Sequence, residues 1–72
     1  MSKLPIISGK KLVKILTKIG YRQVRQRGSH IRLQCLGRKS ITVPDYKTID
    51  RGLLRKILRD VELTADEFNK LI

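Results

Sequence analysis

One histidine, His30, occurs in the 72 residues, and it follows directly on Arg27, Gly28 and Ser29. Arg25 and Arg32 flank the same stretch. An unperturbed imidazole titrates at about pH 6.5 and can take up a proton near neutrality. A guanidinium keeps its charge and matches the geometry of a phosphate. One base among several arginines is a combination suited to a polyanion. Eleven of the 17 Lys and Arg residues precede Asp45, and no Asp or Glu does. The other six cations stand among all six carboxylates, so the net charge of +11 belongs to the first 44 residues.

The elements that must position these residues are readable from spacing. Ser8 is a helix N-cap. Leu12, Ile15, Leu16 and Ile19 follow it at i, i+3, i+4 and i+7, with Val13 on the flank. Lys10, Lys11, Lys14 and Lys18 take the other face, and Gly20 ends the helix. Tyr21 to Arg27 reads as a polar strand. Gly28-Ser29 is a two-residue turn, and His30 to Cys35 alternates, with Ile31, Leu33 and Cys35 on the apolar side. A two-residue hairpin sets Arg27 opposite His30 and Arg25 opposite Arg32. Directly opposed residues share a face. Val24 is then expected inside with Leu33, and Arg25, Arg27, His30 and Arg32 cluster outside.

Gly37-Arg38-Lys39 is the next turn, before Ser40-Ile41-Thr42-Val43 and Pro44. Ile41 and Val43 share the core with Leu33 only if the loop is odd in length, because a slip of one residue reverses every side chain. Three is the smallest loop that fits. A second helix begins near Thr48 or Asp50 and buries Leu54, Ile57, Leu58 and Val61. Arg51, Arg55, Lys56 and Arg59 stay outside. Thr64-Ala65-Asp66-Glu67 is a capping box, with Leu63 and Phe68 as its staple, and it opens a short third helix. The order α-β-β-β-α-α makes one α+β domain over residues 1–72. Its three-stranded antiparallel sheet is covered by helices on one face and open to water on the other.

Composition narrows the function. Three aromatics, Tyr21, Tyr46 and Phe68, are too few for a surface that stacks many bases. A single cysteine, Cys35, excludes an internal disulfide and fits a reducing compartment, so a cytoplasmic protein is expected. Its strand parity assigns it to the core. No apolar run suits a membrane span, and Met1 to Ile7 has no signal-peptide pattern. One His and one Cys form no recognisable metal-ligand set, and no glycine-rich nucleotide loop or serine triad is visible. No cofactor is expected.

The ordered set of motifs resembles the HicA-like, or YcfA-like, toxin family. The matching stretches are Ser8-Gly9-Lys10-Lys11-Leu12-Val13-Lys14-Ile15-Leu16 leading to Gly20-Tyr21, then Gly28-Ser29-His30 and Thr42-Val43-Pro44. They continue through Arg51 to Arg59, Leu63-Thr64, Glu67-Phe68 and Leu71-Ile72. Relatives usually carry a basic or histidine-containing loop where this chain has Asp45-Tyr46-Lys47. They usually carry glycine where it has Glu62, and threonine where it has Leu53. The resemblance implies a fold similar to a double-stranded-RNA-binding domain and metal-independent cleavage of mRNA, with His30 as the catalytic base. Arg25, Arg27, Gly28, Ser29, Arg32, Lys10 and Lys11 are then the RNA-binding candidates. It also implies a cognate HicB-like antitoxin, expected to be acidic and to cover His30.

RNA supplies its own nucleophile, the 2′-hydroxyl. His30 would remove that proton, and Arg25, Arg27 and Arg32 would hold the phosphate and stabilise its developing charge. The products would be a 2′,3′-cyclic phosphate and a 5′-hydroxyl. Water, Tyr46 or a lysine could protonate the leaving oxygen. The competing reading is a non-catalytic RNA-binding module whose histidine only tips a hairpin. A DNA-binding regulator is less suited, because no helix presents base-reading Asn or Gln.

Overall fold

The Ser8 hydroxyl accepts a hydrogen bond from the Lys11 N–H at 3.1 Å and starts α1, Gly9–Thr17. The structure, a computed structural model, describes residues 3–72. After α1 come β1 (Arg22–Arg27), β2 (His30–Gln34), β3 (Ile41–Pro44), α2 (Arg51–Asp60) and α3 (Ala65–Leu71). The strands form one antiparallel sheet in the order β1-β2-β3, so the expected α+β architecture is present. Beyond α1, Gly20 at φ 107° turns the chain, and the Tyr21 N–H reaches back to the Leu16 carbonyl at 3.2 Å.

One layer of apolar side chains lies between sheet and helices. Leu12, Ile15 and Leu16 of α1, Ile31 and Leu33 of β2, and Ile41 and Val43 of β3 are buried. Leu54, Ile57 and Leu58 of α2, Val61 just after it, and Phe68 of α3 complete the layer. Leu4, Ile7 and Ile49 also belong to this core, and no periodic pattern marks them. The Ile49 N–H donates to the Ile7 carbonyl at 2.8 Å, which lays the two segments side by side.

Two local expectations fail. Val24 is not inside: Gln23 pairs with Leu33 and Arg25 with Arg32, so Val24 is an extra residue in a β-bulge. The bulge turns its side chain outward, where it is 42% exposed. Nothing draws it inward, because all six residues of β1 are exposed on both faces. The β2–β3 loop is also longer than three residues. A loop at 37–39 would set Leu33 opposite Val43, whereas its partner is Ile41. The parity survives and the length does not. Residues 35–40 reach back to the helices: Arg38 donates to the Val61 carbonyl, and the buried Tyr21 gives its hydroxyl proton to the Lys39 carbonyl at 2.8 Å. Lys39 also meets Asp60 at 3.9 Å. Cys35 consequently lies past the end of β2 and is half-buried against the core's edge.

Between α2 and α3, Glu62 holds φ at 62°, a left-handed conformation that disfavours any side chain with a Cβ. Glu62→Gly is expected to raise stability by about 1 kcal/mol, with the greater entropy of glycine in the unfolded chain offsetting part of the gain. Thermal unfolding of the two proteins at neutral pH measures it.

The capping box of α3 is complete: the Thr64 N–H donates to Glu67 Oε1 at 2.9 Å, and the Glu67 N–H donates to Thr64 Oγ1 at 3.1 Å. The bond from the Thr64 backbone, then that with its side chain, hold the Glu67 carboxyl below the usual carboxylate range. A depressed acid stabilises the fold above its unfolded pKa, about 4.3 for glutamate, and that contribution fades as pH falls through the lower folded value. Acid is therefore expected to weaken the α3 cap. Glu67→Gln, which keeps a box without the charge, should flatten that part of the stability–pH curve in thermal melts.

Candidate nucleic-acid interface

The helices leave the outer face of the sheet open, and the pairing decides what stands on it. His30 begins the central strand β2, with Arg27 of β1 on one side and Pro44 of β3 on the other. Two residues along, Arg32 lies between Arg25 and Thr42. Opposed residues in such a ladder stand about 4.5–5.5 Å apart at Cβ. Arg25, Arg27, His30 and Arg32 therefore form one exposed cluster, as the alternation requires. They line a shallow concavity of about 530 Å³ together with Val24, Gln34 and Thr42. No carboxylate lines it, and the ion pairs Lys39–Asp60 and Lys56–Asp60 lie elsewhere.

Local bonds hold one arginine of the cluster and the turn beside it. Arg32 Nη1 donates to Thr42 Oγ1 at 3.2 Å, which steers one guanidinium toward the hollow's β3 side. Gly28 takes φ 54° at the first turn position, the place where a two-residue hairpin of the II′ kind requires glycine. Its carbonyl accepts from Gln26 Nε2 at 3.1 Å. The next carbonyl, of Ser29, accepts from the Asp45 N–H at 2.6 Å. Both carbonyls of the tip are occupied, so the residue before His30 is tied to the β3–α2 loop.

That loop is tied in turn to the start of α1. The Gly9 N–H donates to the Tyr46 carbonyl at 2.9 Å, and a Cβ on Gly9 would fall 2.0 Å from the Pro44 carbonyl oxygen. Gly9 is thus a positioning residue that charge and hydrophobic period do not single out. Its signals in the sequence are its place directly after an N-cap and in the first motif stretch.

Not every candidate gathers at the hollow. Gly28 and Ser29 form the hairpin tip between Arg27 and His30 and do not line the hollow. Lys10 lies instead in a separate depression with Ser8, Asp45, Tyr46 and Lys47. Lys11 lines a groove on the helical layer with Lys14 and Lys18. Tyr46 is half-exposed and does not line the His30 hollow, which removes it from the direct surroundings of the base. Thr42 and Gln34 join the face by strand parity, which carries no sign of their role. Val24 joins it only through the bulge.

Among the described residues, no three or more His, Cys, Asp and Glu side chains come together as a metal site would need. No helix among them is long and apolar enough to cross a membrane. No curated protein and no solved structure matches the chain, so the likeness to a double-stranded-RNA-binding domain rests on the motifs alone. A family model does match, over residues 9–63, and its description is HicA toxin of bacterial toxin–antitoxin. The match begins at the glycine that locks α1 to the β3–α2 loop and takes in the whole sheet and α2. The chain belongs to the HicA toxin family of bacterial toxin–antitoxin systems.

Proposed function

We propose that this chain is an endoribonuclease toxin that cleaves mRNA by attack of the ribose 2′-hydroxyl, with His30 as the general base and without a metal. The observation that carries the reading is the single exposed imidazole among three guanidiniums, on a face with no carboxylate. A phosphodiester placed in the hollow would have its charge met by Arg25, Arg27 and Arg32. Charge accumulating on the phosphate during attack is stabilised by the same groups. The imidazole needs only to take the 2′-proton and to be neutral when it does so. Arginines do not release protons, so the leaving 5′-oxygen takes its proton from water, which the open hollow admits.

Membership in a toxin–antitoxin family implies an antitoxin partner. In this reading the partner is HicB-like, presents acidic residues to the arginine face and covers His30, which would neutralise binding and remove the base together. In this reading Gly28 and Ser29 contact RNA at the hairpin tip, and Lys10 and Lys11 contact it away from the hollow, at the start of α1. The protein acts in the cytoplasm, where its substrate is.

The test compares one RNA oligonucleotide with its all-deoxy counterpart in the presence of EDTA. RNA should be cut and the deoxy strand bound but left whole. Equal cutting of both, or cutting only after a divalent cation is restored, contradicts the reading. Binding without any cutting favours the alternative of a non-catalytic RNA-binding module.

A further inference from the structure

Outside the sheet face, the densest positive charge is on α1. Lys10, Lys11, Lys14 and Lys18 are all exposed, and neither ion pair includes them. Lys10, Lys14 and Lys18 recur every four residues, so successive charges rise by about 6 Å along the helix. Like charges at that spacing weaken a helix. No acidic residue of α1 relieves them. Lys18 Nζ donates to the Leu71 carbonyl at 2.8 Å, which holds its ammonium at the groove beside α1 rather than leaving it free. That groove is closed by Ile15 and the half-exposed Ile72.

This row approaches the hairpin tip that precedes His30. Ser8 and Lys10 line both the α1 groove and the depression formed by Asp45, Tyr46 and Lys47. Asp45 is hydrogen-bonded to Ser29, the neighbour of His30. From the hairpin tip the path therefore crosses the 45–47 loop onto α1, with Asp45 as the one acidic side chain lining it.

We infer that α1 is a second contact for the phosphodiester backbone: a strand held at His30 runs over the 45–47 loop and along the lysine row. This rests on the ribonuclease reading and adds an extended footprint to it. Lysine ammoniums on flexible stems meet phosphates as point charges and need no fixed register. A protein partner would want buried aromatic or apolar anchors. The groove exposes one large apolar side chain, Ile72.

The experiment measures affinity for an RNA dinucleotide and a single-stranded 20-mer over a range of salt, using the Lys14→Gln/Lys18→Gln double variant. Each lost phosphate contact on a single strand lowers the slope of log affinity against log salt by about 0.7. For the 20-mer the slope should fall by about 1.4, the sum of two such contacts. For the dinucleotide, too short to extend from the sheet hollow onto α1, it should not change. Lys14→Arg/Lys18→Arg should keep the parental slope with both. An unchanged 20-mer slope overturns the inference and leaves the row to some other partner, an acidic protein included. Equal loss with both lengths also overturns it. The readout is binding, so a failure to cleave would sink the ribonuclease reading without touching this result.

Discussion

His30→Ala is expected to leave RNA affinity close to the parental value and to slow cleavage by about 10²–10⁴-fold, the usual worth of a positioned general base. The separation follows from what the side chain touches. His30 stands exposed at the start of β2 and fills no part of the core, so truncating it opens no cavity. Substitutions of that kind change stability by about 0.5 kcal/mol or less. Phosphate contacts are expected to supply most of the affinity, and the three arginines proposed to make them remain. The assay is single-turnover cleavage of a labelled RNA, with affinity by anisotropy and fold by circular dichroism. A folded variant that cleaves as fast as the parent removes the imidazole from the chemistry. One that loses binding and cleavage together makes His30 a contact rather than a base.

Gly9→Ala is expected to be the most damaging of the small substitutions. The added Cβ would lie 2.0 Å from the Pro44 carbonyl oxygen and 3.1 Å from the Asp45 Cα, and backbone atoms cannot swing aside as a side chain can. Either α1 moves off β3 or the β3–α2 loop shifts, and the Gly9–Tyr46 hydrogen bond is stretched in both cases. Overpacking of this severity costs about 3 kcal/mol. In a domain of this size each kcal/mol lowers the melting temperature by roughly 4–8 °C, so the midpoint should drop by more than about 10 °C. The loop that moves is also the one bonded to Ser29. Any folded fraction should therefore cleave less well than the parent at equal bound RNA, because the hairpin tip has lost its anchor. A melting temperature within a few degrees of the parent would show that the contact relaxes at little cost.

Helical period and caps locate α1, α2 and α3, because an apolar stripe and an N-cap oxygen are local properties of the chain. The pairing of Arg27 with His30 and of Arg25 with Arg32 is legible for the same reason: a two-residue turn carries its register to the first few rungs. The errors begin where a distant contact intervenes. Counting in twos assigns Val24 inward, and a bulge breaks the count; β1 is the sheet's edge and is exposed along its whole length. The β2–β3 loop is lengthened by Arg38 and Lys39 reaching α2, a contact between residues more than twenty apart in sequence. Leu4, Ile7 and Ile49 lie in irregular segments, where burial has no period to announce it. The arginine cluster around His30 follows from one turn and one alternation. The Gly9 lock on the loop bonded to the hairpin tip depends on two segments meeting from far apart in the chain, which no helical or strand period encodes.

The identity of the cleaved ends tests the chemistry most directly. Purified protein is incubated with a defined RNA in EDTA, and the fragments are examined for their terminal groups. Attack by the neighbouring 2′-hydroxyl predicts a 2′,3′-cyclic phosphate on the upstream fragment and a free 5′-hydroxyl on the downstream one. A 3′-hydroxyl paired with a 5′-phosphate would mean that water, not the ribose, is the nucleophile, and would contradict the role given to His30.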